Sequence, residues 1–150
     1  MLSKTCEYAL RAMIYLARNS QNEQRITIKE IMYETGAPEL FMAKILQKLS
    51  KEGYVDSSKG RSGGYSLNVE QLNTPLSQII ISIDGNKLFQ GCGLGLEHCS
   101  DTAPCPIHHR YKLAREAVEN LYSSILLKEF RDNKEFQILR LTREKKFEFK

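Results

Sequence analysis

From Gly91 to His109 the chain reads Gly-Cys-Gly-Leu-Gly-Leu-Glu-His-Cys-Ser-Asp-Thr-Ala-Pro-Cys-Pro-Ile-His-His, and this stretch holds three of the four cysteines and all three histidines. Six residues separate Cys92 from Cys99, five separate Cys99 from Cys105, and two separate Cys105 from His108. Thiolates and imidazoles are the donors that zinc, copper and iron–sulfur clusters select. Glycines and prolines punctuate the stretch, so it reads as a loop. Gly91, Gly93 and Gly95 are expected to let the backbone curl around a small object by reaching conformations closed to other residues. Three cysteines and a histidine could also close a tetrahedral zinc site, although the Cys-x-x-Cys knuckles usual in zinc loops are absent. No base and orienting group accompany a nucleophile here, so an enzyme is not expected.

The elements around this loop follow from apolar periodicity. Ser3 to Arg18 reads as a first helix with Ser3 or Thr5 as its cap. Its stripe of Cys6, Ala9, Leu10, Met13, Ile14, Leu16 and Ala17 is wide enough for burial on more than one side. Cys6, within that stripe, reads as a small buried hydrophobe. Thr27 and Glu30 form a capping-box pair that opens a second helix, which stops at Thr35-Gly36. A third helix starts at Pro38, carries Phe41, Met42, Ile45, Leu46 and Leu49 at helical spacing, and ends near Glu52-Gly53.

Two helices joined by a tight turn at Gly36-Ala37 form a helix-turn-helix pattern, whose second helix presents its first residues to base edges. Tyr54 to Ser58 and Tyr65 to Leu67 then read as two short strands around the turn Lys59-Gly60-Arg61-Ser62-Gly63-Gly64, a basic-tipped wing suited to a narrow minor groove. Thr74, as a cap, and Pro75 open a helix that Asp84-Gly85 ends, and His109 to Lys128 reads as one long apolar-faced helix. With little core left to cover, that helix points to a second copy of the chain and a two-fold dimer on paired half-sites. Glu129 to Lys150 is charge-rich yet keeps Phe130, Phe136, Ile138, Leu139, Leu141, Phe147 and Phe149.

The fold class expected is mainly α with a small β-hairpin wing. Its parts are a winged helix-turn-helix over residues 1–85, a cysteine-rich loop over 86–109, a dimerisation helix over 110–128 and a tail over 129–150. At 150 residues the chain can bury one ordinary core, and its net charge of +4 is distributed unevenly. From Phe41 to Tyr65 the cations Lys44, Lys48, Lys51, Lys59 and Arg61 face only Glu52 and Asp56, the footprint of a phosphate-binding surface. The candidate DNA-contacting residues are Thr27, Glu39, Leu40, Lys44, Lys48, Lys59, Arg61 and Ser62. No run is apolar enough to cross a bilayer, and the N-terminus does not read as a secretory signal, so a cytoplasmic protein with no membrane partner is expected.

These residues together resemble the bacterial IscR/NsrR family of winged-helix iron–sulfur regulators. The features that carry the resemblance are Tyr8-Ala9-Leu10-Arg11-Ala12, Pro38 through Leu49, Gly60-Arg61-Ser62-Gly63-Gly64-Tyr65 and the three-cysteine loop, over roughly residues 2–127. The resemblance implies a homodimeric transcription factor on palindromic double-stranded DNA, usually a repressor, whose long C-terminal helices cross between subunits. It also implies an iron–sulfur cluster on Cys92, Cys99 and Cys105, completed in one of two ways. IscR-like members add a histidine just after the third cysteine, matched by His108, around a [2Fe–2S] cluster. NsrR-like members take an acidic residue from the partner's first helix, matched by Glu7, and [4Fe–4S] stays open as the second cluster type. The six-residue gap after Cys92 is one residue longer than in close IscR relatives. The cluster's state would report redox, nitric oxide or iron–sulfur status to DNA, and a cluster-free thiol or zinc sensor on the same scaffold is the alternative.

Overall fold

The computed structural model describes residues 1–20, 24–137 and 140–142. Its centre is α1 (Lys4–Arg18), which starts where Ser3 leaves the extended region and its hydroxyl accepts the Cys6 N–H at 3.0 Å. Of the expected stripe Cys6, Ala9, Leu10, Met13, Leu16 and Ala17 are buried and Ile14 is half-buried, while Ala12, outside it, is buried as well. Each large apolar side chain so buried contributes about 1.5–3 kcal/mol, and the alanines between them let neighbouring helices approach closely. Cys6 is fully enclosed; burial, and after it Asp84, pushes its thiol up to about 12, so it is inert packing.

The capping box at Thr27 forms in full. The Thr27 hydroxyl accepts the Glu30 N–H at 3.3 Å, and the Glu30 carboxylate accepts the Thr27 N–H at 2.9 Å, opening α2 (Ile28–Thr35). Gly36 closes it in the left-handed region (φ 72°), donating to the Met32 carbonyl at 2.8 Å. Pro38 then sits at the N-cap of α3 (Glu39–Lys51), which buries Met42, Ile45, Leu46 and Leu49 on one face. An alanine at Gly36 would be strained by about 1–2 kcal/mol, and its Cβ would lie 3.0 Å from Thr142 Oγ1. Gly36→Ala is therefore expected to lower unfolding stability by about that amount in urea titrations; an unchanged midpoint would count against the turn as a fixed hinge.

The wing is the antiparallel pair β1 (Asp56–Ser58) and β2 (Gly64–Ser66), in register Asp56↔Ser66, Ser57↔Tyr65, Ser58↔Gly64. Ile26 adds a third segment by exchanging two 2.8 Å backbone hydrogen bonds with Tyr65, so the wing is tied to the start of α2. A short α4 (Val69–Leu72) follows, opened by a reciprocal Asn68–Gln71 capping box. The buried Gln71 amide reaches the Gly53 carbonyl at 3.1 Å and Asp56 at 3.0 Å, which pins the base of the wing.

Next come α5 (Leu76–Asp84) and α6 (Lys87–Gln90), then the cysteine loop and α7 (His108–Ser124). Thr74 is not the cap of α5; Pro75 occupies that position without a side-chain bond. Thr74 instead offers its carbonyl to the Leu127 N–H at 3.0 Å.

The expected single helix from His109 to Lys128 is interrupted. At Ile125 and Leu126 the chain turns extended, the Ile125 carbonyl accepts from Leu76 N–H at 3.0 Å, and Leu126 bridges Pro75. Helix resumes as α8 (Leu127–Asp132), whose Leu127 is wholly buried and which packs on α1. Then α9 (Lys134–Gln137) brings Phe136 to 5.6 Å from the Phe130 ring. Thus Leu127 completes the core, and Phe130 at the start of the tail packs against it. Ile138, Leu139, Phe147 and Phe149 lie outside the described residues.

Candidate metal centre and nucleic-acid interface

The loop brings its three cysteines together. Their sulfur atoms all lie within 4.8 Å of one another, with Cys92 Sγ and Cys105 Sγ 3.7 Å apart. Two sulfurs bound to one metal at about 2.3 Å in tetrahedral geometry stand about 3.7–3.8 Å apart, so this pair is spaced for a shared metal. His108 is 6% exposed and turns Nδ1 to 3.2 Å from Cys99 Sγ. Two donor pairs result, Cys92 with Cys105 and Cys99 with His108, and this soft, mixed donor set fits zinc or an iron–sulfur cluster.

Local backbone geometry builds the cage. The Leu94 N–H donates to Cys92 Sγ and the Cys105 N–H to Cys99 Sγ, each at 3.4 Å. The Leu94 and then the Leu96 N–H bring the Cys92 thiol down to about 7, which favours the thiolate that binds metal. For Cys99 the Cys105 N–H acts downward, but burial and the neighbouring Cys105 and Cys92 leave the thiol raised.

The glycines serve differently from expectation. Of Gly91, Gly93 and Gly95, only Gly95 has a positive φ, 73°. At Gly93 the requirement is space, since a Cβ would sit 2.7 Å from the Tyr111 ring.

Three residues that sequence reasoning passed over hold the loop to α7. Arg115 donates to the carbonyls of Gly91 at 2.7 Å and Gln90 at 3.3 Å. Asp101 accepts from Lys112 at 2.8 Å and meets His108 Nε2 at 2.8 Å. Lys112 first, then His108, hold the Asp101 carboxyl down to about 2. The signal in the sequence is the spacing: His108, Lys112 and Arg115 fall on one helical face at i, i+4 and i+7. The loop is thereby anchored on α6 and α7. Glu7 stands on α1, 3.5 Å from Lys4 and 3.8 Å from Arg11, and does not join the cysteine sulfurs within the chain.

The second candidate surface is formed by α3 and the wing. Glu39, Leu40, Lys44 and Lys48 are exposed along α3, and Lys59, Arg61 and Ser62 are exposed at the wing tip. Lys48 also reaches Glu52 at 3.5 Å. Thr27 is exposed, with its hydroxyl committed to the capping box.

A family profile described as Rrf2, iron-dependent transcriptional regulator, matches residues 2–133. The chain belongs to the Rrf2 family. Within it, an HTH-type transcriptional regulator of Aquifex aeolicus is 31% identical over 86% of this chain and 90% of its own length. IscR of Photorhabdus laumondii is 27% identical over 89% of this chain and 80% of its own. Among solved structures, the global cysteine regulator CymR of B. subtilis superposes with a TM-score of 0.71 at 24% identity, covering 87% of this chain and 95% of that one. T. potens IscR gives 0.69 at 23% identity over 93% of each chain. These two share the fold of this Rrf2 chain, mostly helical with a two-stranded wing. The chain is thus a transcriptional regulator, of a family that binds DNA. No helix among the described residues is long and apolar enough to cross a membrane.

Proposed function

We propose that this Rrf2 protein is a homodimeric repressor that reads redox, nitric oxide or iron–sulfur status through a cluster held by Cys92, Cys99, Cys105 and His108. The observation that carries the reading is the convergence of three sulfurs within 4.8 Å, with a buried imidazole nitrogen 3.2 Å from one of them. A [2Fe–2S] cluster suits the two donor pairs best, with [4Fe–4S] second. Glu7 of the partner subunit is the other candidate for the fourth ligand. Such a cluster would supply a centre sensitive to oxidation and nitric oxide.

The chain's own residues do the rest. Arg115 and Asp101 join the loop to α7, α7 packs on α5, and α5 packs on α3, where Ser82 donates to Glu52. Ordering the loop therefore biases the helix that reads DNA, by as much as the ligand's affinity differs between the two states.

Anaerobic purification with visible absorption, iron and acid-labile sulfide analysis tests this. Iron and sulfide with absorption in the visible range are expected; a colourless chain with one zinc would favour the zinc reading. The 3.7 Å Cys92–Cys105 separation, the edge of a four-coordinate zinc site, is what favours that second reading.

On the DNA face, Lys44 reads a base edge, Lys48 and Lys59 contact phosphates, and Arg61 enters the minor groove beside Ser62. Glu39, Leu40 and Thr27 line the approach of α3 to the major groove. Arg61→Ala is expected to weaken binding to a duplex selected by the protein from a random library about tenfold at fixed salt, since a specific contact is worth about 1–3 kcal/mol. Lys44→Ala should cost more on the selected duplex than on random sequence. Equal losses in fluorescence anisotropy would reduce Lys44 to a phosphate contact.

A further inference from the structure

His108 has two ring nitrogens, and the structure gives them opposite surroundings. Nδ1 faces Cys99 Sγ at 3.2 Å, while Nε2 lies 2.8 Å from Asp101 Oδ1. The second oxygen of Asp101 accepts from the Lys112 ammonium at 2.8 Å. An ion-paired carboxylate has no proton to give, so the proton between Asp101 and His108 belongs to Nε2. A neutral imidazole carries one proton, which leaves a lone pair on Nδ1, directed at the cysteines. His108 is held at the first position of α7 and Lys112 stands one turn further on, so helix geometry sets the spacing of these two, and Asp101 reaches both from the loop.

We propose that Asp101 is a positioning residue that fixes His108 as the Nε2–H tautomer and so makes Nδ1 the atom that ligates the metal, with Lys112 holding Asp101 in turn. The proposal rests on the reading of the cysteine loop as a metal centre. A surface ion pair between Asp101 and Lys112 alone would leave the imidazole unconstrained. Here the carboxylate spans the ammonium and the ring, one oxygen to each. Partners of this kind on the remote nitrogen of a ligating histidine set its orientation and basicity, and their loss typically lowers metal affinity about 10–100-fold.

The test uses the full chain, wild type, Asp101→Ala, His108→Ala and the double variant. In the metal-free wild type, imidazole 15N shifts of His108 are expected to show Nε2 protonated and Nδ1 bare. Asp101→Ala should give a mixture of tautomers. Titration with Co(II), read by thiolate-to-metal absorption, should show affinity about tenfold lower for Asp101→Ala than for wild type. In the His108→Ala background, Asp101→Ala should cost nothing further, because Asp101 acts only through the ring. An unchanged tautomer in Asp101→Ala, or losses that add across the double variant, would overturn the role given to Asp101 while leaving the metal centre intact. A wild-type chain that takes up neither Co(II) nor iron would instead overturn the reading of the loop, and the proposal with it.

Discussion

Cys105→Ala is expected to leave the anaerobically purified protein colourless and with under about a tenth of the wild-type iron, because three donors no longer complete four-coordinate ligation. Cys105 is the most enclosed of the three loop thiols. Its sulfur lies 3.7 Å from Cys92, and its N–H donates to Cys99. The change therefore removes one donor and the sulfur neighbour of Cys92, while the backbone N–H that reaches Cys99 is kept. The fold should survive, since no residue between α6 and α7 belongs to the continuous core cluster around α1. Far-UV circular dichroism and the urea midpoint serve as that control. Cys6→Ala makes the opposite comparison: iron content is kept, because Cys6 sits in the core. Wild-type iron in Cys105→Ala would remove this cysteine from the ligand set.

A second large effect is expected at α7. Leu113 is 69% and Leu121 52% exposed in the chain, and with the exposed Ala117 they form one stripe at i, i+4 and i+8. A two-fold contact would bury each of them twice. The double change Leu113→Glu, Leu121→Glu then places four carboxylates in an apolar seam, where unpaired charge is costly. We expect the dimer dissociation constant to rise at least about a hundredfold, equivalent to about 2.7 kcal/mol, as read by sedimentation equilibrium. Affinity for paired half-sites should fall with it, while the monomer keeps its iron if His108 is the fourth ligand. Unaltered association would place the dimer seam elsewhere on the molecule.

The retention of iron by that monomer separates the two candidates for the fourth ligand. Glu7 pairs with Lys4 and Arg11 on its own helix, so it could reach the sulfurs only from a partner subunit. His108 needs no partner. A dimer-breaking change that also strips the iron would favour Glu7.

What was legible in the sequence was what neighbouring residues decide among themselves. The Thr27–Glu30 box, the Gly36 stop, the four-residue apolar rhythm of α3 and the glycine-rich wing turn each depend on groups fewer than eight positions apart. The close clustering of Cys92, Cys99 and Cys105 in the chain likewise announced a common centre. The Asn68–Gln71 box that opens α4 has the same local form, yet it was not picked out from the sequence. Tertiary structure alone decided the break at Ile125. No glycine or proline marks it, and it exists because the backbone of Thr74, Pro75 and Leu76 takes up the hydrogen bonds that a continuous helix would have kept. It alone paired Cys99 with His108, and brought Asp101 to Lys112 and Arg115 to Gly91. Residue type says which groups can bond; which of them meet depends on how a loop without periodicity lies against a helix.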